Sequence, residues 1–144
     1  LLSTAVVTGS HTMNVSTNAS GGMVVTVSGT TLTSGGNTIT ACNPTNCTDA
    51  GGAGQGTEQF GINLVANTSP TVGAAATGTP TIGVAATSYD TTNSFRFVSG
   101  ETIASSAGAI NDTTFTVSYI TNIAAPTEAG SYSTTLTFVA TATF

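Results

Sequence analysis

The chain has 144 residues, one Lys or Arg against six Asp or Glu, and a formal net charge of −5. Charged residues make up 5% of it, against about 25% in an average soluble domain. Arg96 is the single base, so nucleic acid and anionic membrane surfaces, which are held through Lys and Arg, are disfavoured as partners. A mean hydropathy of +0.27 argues against a disordered chain. No run reaches the roughly 18 apolar residues of a membrane helix.

Threonine supplies about a fifth of the residues. It is β-branched and suits a pleated, half-wet surface. Alternation of apolar and polar residues recurs from end to end, the signature of strands with one buried face. STAVVT (Ser3 to Thr8) reads as a first short strand, followed by Gly9-Ser10 as a hinge. HTMNVST sets His11, Met13 and Val15 on one side. GMVVTVSG does the same with Met23, Val25 and Val27. NTITA (Asn37 to Ala41) follows a SGG turn.

The stretch ACNPTNC comes next. Cys42 and Cys47 bracket Pro44 among turn formers and read as a small disulfide-closed loop, with free thiols as the alternative. A metal half-site lacks a second ligand pair, because His11 is the only histidine. DAGGAGQG then reads as a flexible glycine stretch. TEQFGINLVAN resumes the pattern with Phe60, Ile62 and Leu64. Residues 68–92 read as a long surface loop with one edge strand at Thr81 to Ala85. SFRFVSG and ETIASS suggest a hairpin. TTFTVSYITNIA is a strong strand with Phe115, Val117, Tyr119 and Ile123 on one face. APTEAG makes the turn into SYSTTLTFVATATF, which alternates from Ser131 to Phe144 and reads as a core strand.

About eight to ten short strands without a helix predict an all-β fold, an antiparallel β-sandwich of immunoglobulin-like or jelly-roll type. The expected division is an N-terminal strand or arm over 1–10 and a sandwich domain over 11–144. The opening at Leu1, without methionine or a basic segment, suits a mature exported chain or an excerpt.

Residues that carry chemistry are scarce. His11 sits in an alternating strand, where a structural role outweighs that of a base. Asp49, Glu58, Asp90, Glu101, Asp112 and Glu128 are scattered over predicted turns and strand ends. Asp112 beside Asn111 lacks the dense oxygen ligands of a calcium loop. Without lysine there is no P-loop, no Schiff base and no Lys–Asn crosslink. The expectation is a non-enzyme that carries no cofactor and no metal. Five N-x-S/T sequons occur, at Asn14, Asn18, Asn46, Asn67 and Asn111. Asn46, in the cysteine loop, and Asn67, ahead of Pro70, are expected to be the best exposed for glycosylation, with a plain polar side chain as the alternative.

The phrases TVSGTTLTSGGNTITA, GTEQFGINLVANTSP and TFTVSYITNIAAPTEAGSYSTTLTFVATATF resemble Thr-rich secreted β-sandwich proteins of uncultivated small-genome bacteria, found at the cell surface. The chain is also similar in character to donor-strand pilus and filament subunits. The resemblance covers most of the chain, implies an extracellular or cell-surface location, and transfers no site residue. Together with the low charge and unguarded terminal strands, it leads to one functional expectation. The chain is a structural subunit of an extracellular filament, a homopolymer assembled head to tail by strand donation, with Leu2, Thr4 and Val6, or in the other register Ala5 and Val7, entering the next copy. The alternative is a monomeric adhesin or carbohydrate-binding module, for which Tyr89 and Tyr132 are the exposed aromatic candidates.

Overall fold

A computed structural model of the chain describes residues 5–43, 45–48, 56–79 and 82–144. The glycine-rich stretch over 49–55 and Thr81 lie outside them. Among the described residues the chain is all-β, with eleven strands and no helix. The longer strands are β1 (Val7–Thr17), β2 (Met23–Gly29), β5 (Gln59–Asn63), β9 (Thr102–Ser106), β10 (Ile110–Asn122) and β11 (Leu136–Ala142). The remaining five are two-residue ladders: β3 (Thr33–Ser34), β4 (Asn37–Thr38), β6 (Asn67–Thr68), β7 (Thr71–Val72) and β8 (Val84–Ala85).

Two antiparallel sheets face one another in a sandwich-like arrangement. One has the order β1-β10-β5 and the other β11-β2-β9-β8. Alternation sets the register. Met23, Val25 and Val27 from β2 and Ile103 from β9 meet Phe60 and Ile62 from β5 and Phe115 and Val117 from β10 in one core. On β1 the alternate polar positions Thr8, Ser10, Thr12, Asn14 and Ser16 are all exposed, whereas Asn63 of β5 and Ser118 and Asn122 of β10 are buried. Gly22 turns the chain from β1 into β2 at φ 78°, a left-handed conformation that side chains resist.

Several expectations are corrected. Gly9-Ser10 is not a hinge but part of a strand. Gly9 pairs with Tyr119 and Ser10 with Ser118 inside a continuous β1. A 13-residue partner, β10, holds the ladder straight through the glycine. SFRFVSG and ETIASS do not pair with each other. Phe95 and Arg96 bridge Cys47 and Ile62, on the β5 side, whereas β9 pairs with β2 and β8. The chain therefore crosses between sheets, through a Val98–Glu101 turn closed at 3.2 Å. The 68–92 loop contains the β6–β7 hairpin, around a cis Ser69–Pro70 bond, and a Thr77–Thr114 bridge. The closing strand begins at Leu136, not Ser131, and lies at a sheet edge rather than in the core.

A buried amide knot fastens that hairpin. Asn63 donates to the Thr91 and Ser94 carbonyls at 2.8 and 2.9 Å. Its Oδ1 accepts from Val65 N and Asn67 Nδ2. Asn93, at φ 61°, uses its Oδ1 to accept from Thr68 N and Ser69 N. Asparagine tolerates the left-handed region because its short amide bonds nearby backbone.

Candidate functional site

β1 and β11 each lie at one edge of their sheet, opposite β5 and β8. A sheet edge presents a row of unpaired N–H and C=O groups, and proteins normally guard it with Lys, Pro or a bulge. β1 reads VTGSHTMNVST and β11 reads LTFVATA, without a charge or a proline in either. The one irregularity is a register shift between Val15 and Thr17, at the far end of β1.

Between the first half of β1 and the start of β11 the two sheets part into an apolar groove of about 620 Å³. Val7, Gly9 and His11 line it from one sheet, with Tyr119 and Phe60 behind them, and Leu136 and Phe138 from the other, with Leu32 at the end. Gly9 is the reason for the opening. It occupies an inward position across from Tyr119, and a Cβ built on it meets nothing within 4 Å. Val7, next along that face, is 42% exposed.

Aromatic rings close the groove at its inner end. His11 stacks on Tyr119 with centroids 5.6 Å apart and meets the edge of Phe138 at 5.4 Å. The Tyr119 hydroxyl lies 3.2 Å from His11 Nδ1. Phe60 packs beside Tyr119 at 6.4 Å and against Phe97 at 5.2 Å. Burial pushes the Tyr119 phenol up to about 12. These contacts make His11 part of an apolar wall, its neighbours rings rather than carboxylates. Among the described residues no three His, Cys, Asp or Glu side chains gather as a metal site would require.

The chain's one base is consumed inside the molecule. Arg96 Nε donates to Glu101 at 2.7 Å, and a second guanidinium nitrogen pairs with the other carboxylate oxygen. Arg96 therefore holds Glu101 below the usual carboxylate range. Tyr89 donates its hydroxyl to the same carboxylate at 2.8 Å. Tyr89 is 1% exposed, so it is a core plug and not the surface aromatic expected for an adhesin. Tyr132 is half-buried, its hydroxyl donated to the Glu128 carbonyl.

The other predicted site residues fall as follows. Cys42 and Cys47 are bridged, with Cα atoms 5.3 Å apart, in keeping with an oxidising compartment. Leu2 and Thr4 lie outside the described residues, and Val6 is half-buried just ahead of β1. Asn67 is not exposed. It is 4% accessible, and its Nδ2 is shared among Asn63 Oδ1, the Val65 carbonyl and the Val72 carbonyl. Asn46 is half-buried, its Nδ2 donated to the Ser88 carbonyl and Ser94 Oγ. Both asparagines fasten loops, a role that sequon spacing does not reveal. The groove itself was missed by sequence reasoning, though a trace of it is visible: Gly9 interrupts an inward row that otherwise reads Val7, His11, Met13, Val15.

Comparisons with protein-family models, with curated proteins and with solved structures find no match to this chain.

Proposed function

We propose that the chain is a structural subunit of an extracellular surface filament, joined head to tail by β-strand donation. The acceptor is the seam between β1 and β11. The donor is the segment ahead of β1 in the next copy, with Leu2, Thr4 and Val6 as the residues that alternate into the groove. One observation carries this reading: an apolar groove, opened by Gly9, runs between two sheet edges that hold no charge. An added strand would satisfy the open edge groups and cover Val7 and the His11–Phe138 rings in one step. The formed disulfide is consistent with an exported protein.

Removing residues 1–6 tests the donor and leaves the β1 ladder whole. Negative-stain microscopy is expected to show filaments for the full chain and none for the truncated one, with circular dichroism unchanged. Filaments of normal form from the truncated chain reject the donor assignment. A second reading, a monomeric glycan-binding module, draws on the same groove. His11, Tyr119 and Phe138 offer a sugar ring a stacking surface. It is favoured instead if the full chain stays monomeric and binds a glycan array through His11 and Phe138.

A further inference from the structure

The five sequons separate by the state of their amides. A folded chain carries an N-glycan at its surface, so it accommodates one best where the carboxamide makes no fold contact and the sequon hydroxyl two residues on is accessible. Asn46 and Asn67 fail the first condition, as described above. Asn111 is exposed, but its partner hydroxyl, on Thr113, is fully buried and accepts from Gly83 N at 3.0 Å. Asn14 and Asn18 meet both conditions. Each is exposed, each is followed by an exposed serine (Ser16 and Ser20), and neither amide bonds another described residue. Asn14 stands on the outer face of β1 beside the register shift at Val15/Thr17. Asn18 follows β1 directly and lines a polar depression of about 630 Å³ with Ser16, Thr17, Thr79 and Asp112.

We infer that Asn14 and Asn18 are N-glycosylation sites. The donor class is an oligosaccharide linked through phosphate to a polyprenyl lipid. The asparagine Nδ2 forms a bond to the anomeric carbon. The bond from that carbon to the phosphate oxygen breaks, and the lipid phosphate leaves with the electron pair. The proton lost from Nδ2 passes to a carboxylate of the transferase. The consequence for the fold is specific. Glycans at Asn14 and Asn18 shield the half of the β1 edge that lies away from the groove. The Val7–His11 half stays open. A chain without lysine thereby gains an edge guard. The inference rests on export, and does not depend on strand donation.

The test is glycopeptide mass mapping of the protein taken from cells that produce it. A protease other than trypsin is needed, since Arg96 is the only tryptic site. The expected result is a hexose-type mass addition on peptides holding Asn14 and Asn18, and none on Asn46 or Asn67. N14Q and N18Q are each expected to remove one addition. S16A and S20A, which leave both asparagines in place, are expected to do the same. Bare Asn14 and Asn18 peptides, or additions that survive S16A and S20A, overturn the inference. Failure of filament assembly, by contrast, leaves these masses unchanged.

Discussion

At the scale of single residues, Gly9 does the most for the least mass. It is the inward position where the alternation of β1 drops its side chain, and the groove follows from that gap. Gly9→Leu has room for its Cβ and replaces a residue that weakens a strand interior by roughly 0.5–1 kcal/mol. The variant is expected to melt at or above the parent temperature while losing filaments under the microscope. Asn67 is the opposite case, a residue whose value lies in its bonds. Asn67→Ala removes the amide donor to the Val65 and Val72 carbonyls and the acceptor of Asn93 N, while Asn63 Oδ1 keeps Val65 N, and is expected to cost about 1–3 kcal/mol in denaturant unfolding. Phe115, fully buried between the sheets, sets the upper end, with about 3–5 kcal/mol expected for Phe115→Ala.

Titration belongs to this scale as well. Glu101 is held below its ordinary range by Arg96 and sits partly buried. A depressed folded-state carboxylate adds stability above its unfolded pKa and loses it as pH falls through the folded value. Acid unfolding is therefore expected to begin below the ordinary glutamate range. Glu101→Gln should flatten that acid limb. Tyr119 behaves in the reverse sense. Its raised phenol, at about 12, gives stability that is complete below the unfolded tyrosine value near 10 and fades as pH rises through 12. Tyr89 is raised by burial in the same direction. Thermal melts across acid and alkaline pH check both limbs.

At the scale of elements, alternation carried much of the information. The inward sets were legible as Met23, Val25 and Val27 on β2, as Phe60 and Ile62 on β5 with Leu64 just after it, and as Phe115, Val117 and Tyr119 on β10. The disulfide was legible from its turn-forming surroundings. Partners of strands were not, because alternation marks a face and says nothing about a neighbour. The 94–106 stretch shows this: two strand-like runs joined by a turn look like a hairpin, yet they feed different sheets. SYSTTLTFVATATF shows it again. A heavy apolar face suggested the core, but Leu136 and Phe138 are only half-buried on an edge strand, and their apolar face lines the groove. Burial of Asn67 was hidden for a related reason, since its three acceptors come from a local knot and from no periodic pattern. The disulfide loop gives an element-scale prediction. Opening a closure of about six residues releases roughly 2 kcal/mol of loop entropy, so a Cys42→Ala/Cys47→Ala variant should unfold at correspondingly lower denaturant.

At the scale of the whole molecule, the charges of the described residues fall near strand ends, in turns and at the Ile62–Arg96 bridge. β1, β2 and β11 carry none, and the one base is neutralised by Glu101. Assembly through the seam is thus expected to depend on apolar contact and backbone pairing. Filament yield should change little between about 0.01 and 1 M sodium chloride, although the screening length falls from roughly 30 to 3 Å. A strong fall in yield with salt would point to charged contacts elsewhere on the surface.

The measurement that bears most directly on this account is a residue-resolution electron-microscopy map of assembled material. The expected map holds an added strand from a neighbouring copy between β1 and β11, with an apolar side chain seated over Gly9. Filaments whose copies touch only through other faces, with the groove between Val7 and Phe138 empty, would contradict it.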